Sequence, residues 1–335
     1  MNIKICLKSD REDSKDAVTI EEYILNWLNT VKINELKPTS FDRKEQTIQY
    51  QILPYIGKIR LSDLKSEDIQ FMINDLKGKY SYSTIKKAYE CINSCLKYAV
   101  KRHDVSFNAA EGCTIPKALM NGSDDKIKFF SDEEMKRIEC EAVRCYKNGN
   151  RIYRMGEIII FLVNTGMRIG EALALEWSDI NFDSGTVQIR KNVVLVKDRD
   201  ENRGKSYKYI KQNPKTRSGS RIVPLNKAAT QALISLRGIN GKFKYVFATK
   251  TGKRIHPRSI DRMFRCILKK SGLEGVGVHS LRHTFASRLF AKGVDVKTVS
   301  DLLGHSEVGV TYDTYIHLIQ EQHVIAVETL ENVLL

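Results

Sequence analysis

The sequence predicts a mainly α-helical protein with a small antiparallel β-sheet, divided into an N-terminal helical domain and a C-terminal α+β domain. Three observations predict it. Residues 17–110 repeat apolar residues at helical spacing and open helices with capping residues. Residues 111–128 gather turn formers and charges with no period, as a linker does. Runs of β-branched residues occur between residues 186 and 223, with helical patterns on both sides.

In the first domain, Thr19-Ile20-Glu21-Glu22 is a capping box that opens a helix expected to run to about Asn29. A second helical stretch is expected from about Ser40 to Leu53, and a third from Ser66 to Gly78. The fourth, from about Ser83 to His103, places Ile85, Ala88, Ile92, Cys95, Leu96 and Ala99 on one face. Lys86, Lys87, Lys97 and Lys101 fall elsewhere on that helix. Residues 1–16 precede this bundle as a charged tail.

Helix resumes at Ser131, which forms a capping box with Glu134, while Phe130 and Met135 occupy the hydrophobic-staple positions. The second domain is expected over 129–317. Ile158–Val163 reads as a buried helix turn, Thr186–Val196 as a strand, and Tyr207–Gln212 and Ser220–Val223 as two shorter strands. Helix returns over Pro257–Ser271 and is closed by Gly272. On it Ile260, Met263, Phe264, Ile267 and Leu268 form an apolar face. Arg258, Arg262, Arg265 and Lys269 form a basic one, suited to phosphates.

Composition narrows the partners. Lys plus Arg is 55 against 40 Asp plus Glu, a net charge of +15. Residues 197–271 alone hold 21 basic and 4 acidic side chains. An excess of that size favours a polyanion, because counterions are released when it meets phosphates. The longest aliphatic and aromatic run, Ile158–Val163, is far short of the ~20 residues a membrane span needs. The charged first residues carry no signal-peptide core, so a cytoplasmic protein is expected. Seven scattered cysteines predict neither a disulfide framework nor a zinc site.

Three segments carry chemistry: Thr165-Gly166-Met167-Arg168-Ile169-Gly170-Glu171, His279-Ser280-Leu281-Arg282-His283-Thr284, and Leu303-Gly304-His305 followed by Thr311-Tyr312-Asp313-Thr314-Tyr315-Ile316-His317. Together their residue types suit phosphoryl transfer. Arginine is always charged and donates a planar fork, so two arginines can clamp the non-bridging oxygens of a phosphodiester. Tyrosine can attack phosphorus and conserve the bond energy in a covalent ester. The sequence has neither a carboxylate cage for metal ions nor a Gly-Lys-Ser phosphate loop, so no cofactor is expected and the arginines take magnesium's part.

This ordered set resembles the tyrosine recombinases, the phage-integrase family, and particularly the integrases of mobile elements. The resemblance covers about residues 17–320. It implies an N-terminal helical, SAM-like core-binding domain and a C-terminal α+β catalytic domain that together clamp DNA. It implies that Arg168 and Arg282 hold the scissile phosphate, that His279 and His305 hydrogen-bond its oxygens, and that Tyr315 attacks to form a 3′-phosphotyrosyl link. Lys215, in the turn between the two short strands, would protonate the leaving 5′-oxygen, with Lys211 as a neighbour of the same type. Glu171 would support the site. Tyr312 is the rival nucleophile, but the spacing from Thr311 and the following Ile316-His317 select Tyr315.

The resemblance further implies double-stranded DNA core sites as partners, a homo-tetramer in the synaptic complex, an accessory directionality protein, and strand exchange without metal or ATP. Lys86, Lys87, Arg258, Arg262, Arg265 and Lys269 are the expected phosphate contacts. Departures are small. Asn108-Ala109-Ala110 stands where the family often has Asn-Pro, and only about 16 residues precede the first helix, so either the arm-binding domain of larger integrases is absent, as in simpler recombinases, or the chain is trimmed. Two competing readings are a type IB topoisomerase and a catalytically inert DNA-binding protein on the same scaffold. Beyond Tyr315, Val324, Val327, Leu330 and Leu334 predict an amphipathic helical tail over 318–335, which either packs on its own catalytic domain or, as the resemblance implies and as is favoured here, docks on a neighbouring protomer.

Overall fold

The computed structural model describes residues 18–116, 128–200, 206–212 and 220–316. The expected tail over 1–16, most of the linker, the turn bearing Lys215 and the helix over 318–335 lie outside the described residues. The chain divides into two compact units, 1–124 with 196–206, and 125–195 with 207–335.

The first unit is helical. Its first helix α1 (Ile20–Trp27) opens on the Thr19 capping box, whose two hydrogen bonds measure 3.3 and 2.9 Å. It does not stop at Asn29. A π-helical stretch, Leu28–Lys32, carries it into α2 (Ile33–Glu35). The wider turn lets the successive residues Trp27 and Leu28 both reach the core. The second stretch likewise runs past its expected end: α3 (Pro38–Thr47), a π-helical stretch Ile48–Ile52, then α4 (Leu53–Ile56). Pro54 is accommodated because it falls in the first turn of α4, where its missing N–H is not needed. Helices α5 (Ser66–Leu76) and α6 (Tyr82–Lys101) complete the bundle, and the predicted stripe of α6 is buried throughout.

The second unit is mixed. Helix α7 (Asp132–Ala142) opens on the Ser131–Glu134 box, at 3.2 and 2.9 Å. Next come α8 (Glu157–Thr165), a central helix buried on most sides, and the short α9 (Ile169–Ala172). Strands β1 (Ile180–Asn181), β2 (Thr186–Ile189), β3 (Asn192–Asp198), β4 (Ser206–Gln212) and β5 (Arg221–Pro224) form two sheets. One has the order β1-β2-β5, antiparallel, with Ile189 opposite Arg221; the other pairs β3 with β4.

Thr186–Val196 is therefore two strands in different sheets, not one. The buried alternation at Val187 and Ile189 loses step at Arg190-Lys191 and resumes at Val193. Both charged residues are drawn aside, Arg190 toward Asp179 at 3.7 Å and Lys191 toward Glu176 at 3.6 Å. Helix α10 (Lys227–Asn240) opens on Asn226 and buries Ala229, Ala232, Leu233 and Leu236 on one face. Helix α11 (Pro257–Lys270) has the two faces predicted, apolar and buried against basic and exposed. Helices α12 (His279–Ala291) and α13 (Val296–Leu303) follow, and residues 308–316 are helical.

Candidate active site

The site is assembled from the end of α8, the start of α9, the start of β5, the first turns of α12, and the segment after α13. Gly166 ends α8 in the left-handed region, at φ +62°. A Cβ there would lie 2.4 Å from a ring carbon of Phe285, so both conformation and space require glycine. Its carbonyl accepts a 2.8 Å hydrogen bond from Nη1 of Arg282. Arg282 is only 3% exposed, and its Nη2 has no partner among the described residues. A buried guanidinium with an unspent N–H is poised for an anionic oxygen.

Arg168 caps α9 with its own backbone. Glu171 accepts the Arg168 backbone N–H and its Nη1, both at 3.0 Å. The same carboxylate accepts a two-pronged bond from Arg221, Nη1 at 3.2 Å and Nη2 at 2.9 Å. Nε of Arg221 donates to the Leu302 carbonyl at 2.7 Å, near the end of α13.

His279 begins α12 and keeps an exposed edge. One turn on, His283 meets it ring edge to ring face, with centroids 4.8 Å apart. Nδ1 of His283 shares a 2.7 Å hydrogen bond with the hydroxyl of Tyr315. Tyr315 is 1% exposed and packs on Phe290 at 5.4 Å, whereas Tyr312 is 41% exposed. His305 follows Gly304, whose left-handed conformation ends α13 and lets the His305 N–H reach the Ser300 carbonyl at 3.1 Å. Nδ1 of His305 is fixed by the Thr311 hydroxyl at 2.6 Å, which leaves Nε2 for another partner.

The electrostatics bind these groups into one cluster. Burial, then the Arg168 charge, pushes Arg282 down to about 9, so it remains a cation at neutral pH. Burial and the charges of Arg282, Arg168 and Arg221 push His305 down to about 4. His283 also falls to about 4, through burial first and then its neighbours His279 and Arg282. His279 is lowered by partial desolvation and by Arg282 and Arg168. Burial works against the Glu171 carboxylate, but the hydrogen bonds and charges of Arg221 and Arg168 outweigh it and hold Glu171 below the usual range. Tyr315 is raised by burial, against the opposing charge of Arg282.

The structure thus brings together Arg168, His279, Arg282, His305 and Tyr315. Lys215 and the side chain of Lys211 lie outside the described residues. Lys86 and Lys87 are exposed on α6, and Arg258, Arg262, Arg265 and Lys269 on α11. Of these, Lys86 stands 4.0 Å from Glu90, Arg265 is paired with Asp261 at 2.8 Å, and Arg258 lies over the ring of Tyr207. Sequence reasoning gave no role to Arg221 or His283. Arg221 was hidden in a run of basic residues, and its only signal was its place in a strand that must be half buried. Among the described residues no group of three or more His, Cys, Asp or Glu could hold a metal ion.

A model of the phage integrase family matches residues 128–322, and a model of the phage integrase N-terminal SAM-like domain matches residues 19–77. A tyrosine recombinase XerC-like protein of Caldanaerobacter subterraneus subsp. tengcongensis is 32% identical, over 94% of this chain and 83% of its own. The integrase of Staphylococcus phage L54a is 23% identical over 95% and 94%. Among solved structures, the Tn1549 transposon integrase in complex with circular intermediate DNA aligns with a TM-score of 0.71 at 19% identity, over 89% of this chain and 95% of that one. A lambda integrase tetramer bound to a Holliday junction aligns at 0.66 and 17%, over 89% and 77%. At such identities the structural likeness speaks for the fold alone. The family model, however, spans more than half of the chain and meets the clustered arginines, histidines and tyrosine, so this protein belongs to the phage integrase family, the tyrosine recombinases.

Proposed function

We propose that this recombinase breaks and rejoins duplex DNA at specific sites through Tyr315. The Tyr315 oxygen attacks the scissile phosphorus, a 3′-phosphotyrosyl bond forms, and the bond to the 5′-oxygen breaks. Neutral His279 assists the departing tyrosine proton, and Lys215 protonates the 5′-oxygen. Arg168 and Arg282 hold the two non-bridging oxygens as their charge rises, supplying in a desolvated site the positive charge that metal ions supply elsewhere. The phosphotyrosyl ester retains the energy of the broken bond, so religation to a new 5′-hydroxyl needs no ATP.

The observation that carries this reading is the buried Arg282, whose unspent Nη2 lies in the same cluster as Tyr315. The inert-scaffold alternative is not favoured, since every one of these positions that the structure describes is filled. The topoisomerase alternative is not favoured either, because the relatives are recombinases and integrases. Strand exchange between two paired core sites calls for four protomers, and an accessory protein would set its direction. The exposed basic residues of α6 and α11 serve as phosphate contacts.

A nicked suicide duplex taken from the DNA flanking the gene tests the reading. The wild type should give a denaturant-resistant protein–DNA adduct, with or without EDTA. Tyr315→Phe should give none while binding DNA normally, and Tyr312→Phe should react as the wild type does. An adduct of normal yield from Tyr315→Phe would move the nucleophile elsewhere.

A further inference from the structure

We infer that Arg221 is a positioning residue for the reaction, setting the charge and orientation of Arg168 through Glu171. The inference rests on the proposed role of Arg168 at the phosphate. Arg221 stands at the head of β5 with a side chain only 7% exposed. Each of its three nitrogens has a partner: two reach Glu171, and Nε reaches the Leu302 carbonyl. One side chain therefore ties together three elements of the site. These are β5, the α9 turn headed by Arg168, and the end of α13, from which His305 follows three residues after Leu302.

Such an arrangement is a poor device for stability alone. Desolvating an arginine and a carboxylate costs roughly what their attraction returns, and an apolar pair of equal size often does as well. Its electrostatic effect on the site is more specific. Arg168 paired with Glu171 alone would present a neutral couple to the incoming phosphate. Adding Arg221 makes a group of two cations and one anion, with one positive charge left over. Because Arg221 grips the carboxylate by two bonds, Glu171 can be shared, and Arg168 is oriented without being fully neutralised. Arg168 is also the more exposed of the two arginines, with 39% of its side chain open, so it is the one able to meet substrate.

The test compares Arg221→Gln and Arg221→Lys in single-turnover adduct formation on the nicked duplex, with thermal midpoint and DNA binding measured on the same preparations. Each variant is also run on a duplex carrying a methylphosphonate at the scissile position, which lacks the negative charge the arginines must stabilise. The Gln variant should lose roughly 10–100-fold on the phosphodiester, less than a directly contacting donor. On the methylphosphonate its loss should shrink to about threefold or less. The Lys variant, keeping charge without the fork, should fall between wild type and Gln. Equal losses on both substrates, or a loss that follows the thermal midpoint alone, would make Arg221 a structural tie and overturn the inference. An undiminished rate in the Gln variant would overturn it too. The proposed active site is checked separately, because its failure would appear as a wild type that forms no adduct or a Tyr315→Phe that does.

Discussion

The two halves of the site are held by opposite means. On one side Arg168, Glu171, Arg221 and Arg282 form a charged group of three cations and one carboxylate. On the other, His283, Tyr315 and Phe290 form an uncharged stack, with the tyrosine buried and its hydroxyl on a neutral imidazole. The half proposed to hold phosphate stores positive charge in advance, so that, on that proposal, little reorganisation remains for the reaction itself. The half that carries the proposed nucleophile resists ionisation. A tyrosine this buried keeps its proton, so it is not a reactive phenolate in the free protein. Its partner His283, pushed down to about 4, is too weak a base to take that proton. That proton therefore falls to His279, in the role proposed for it, once the charged half has seated the phosphate.

Breaking the charged half should have the largest effect. Arg282→Ala removes a buried cation that donates to the Gly166 carbonyl and has Nη2 without a partner among the described residues. Adduct formation should fall by about 10²–10³ or more, with DNA binding little changed because most phosphate contacts lie elsewhere. Single-turnover kinetics beside a gel shift checks this, and a matching loss of binding would make Arg282 a general DNA contact.

The uncharged half should show itself in stability. His283→Phe leaves the buried Tyr315 hydroxyl without a partner, at a cost of about 1–3 kcal/mol. Adding Tyr315→Phe removes the stranded hydroxyl as well, so the double variant should recover most of that loss. Chemical denaturation of the four proteins in this cycle measures it. Additive losses would mean that the 2.7 Å contact contributes nothing.

Acid should weaken the fold through the two buried imidazoles. His283 and His305 titrate near 4 when folded but near 6.5 when unfolded. The unfolded chain therefore binds more protons between those values, and stability falls as pH drops through that window. The thermal midpoint should be flat with respect to these groups above about pH 6.5 and decline toward pH 4. His305→Gln should decline less steeply, and an unchanged slope in that variant would remove His305 as a contributor.

Much of this was legible in the sequence because it is local. The boxes at Thr19 and Ser131, the stripe of α6 and the two faces of α11 depend on residues three or four apart. The motifs around Arg168, Arg282, His305 and Tyr315 were legible by residue type and by resemblance rather than by spacing, and the structure gathers those four side chains into one cluster. What escaped depends on partners distant in sequence. The π-helical stretches after Trp27 and Thr47 answer to packing in the bundle, not to local pattern. Arg190 and Lys191 interrupt a β-branched run because Asp179 and Glu176 happen to stand beside them. Arg221 meets Glu171 across 50 residues, and His283 meets Tyr315 across 32. No spacing rule announces such pairs.

The role proposed for Tyr315, buried and protonated at rest, is to carry the oxygen that captures DNA. Its most direct test is to digest the covalent adduct with protease and nuclease and locate the nucleotide-bearing residue by mass spectrometry. A phosphotyrosyl group is expected on the peptide containing Tyr315, with the exposed Tyr312 of the same peptide unmodified. A modification at Tyr312, or at a serine or histidine, would contradict it.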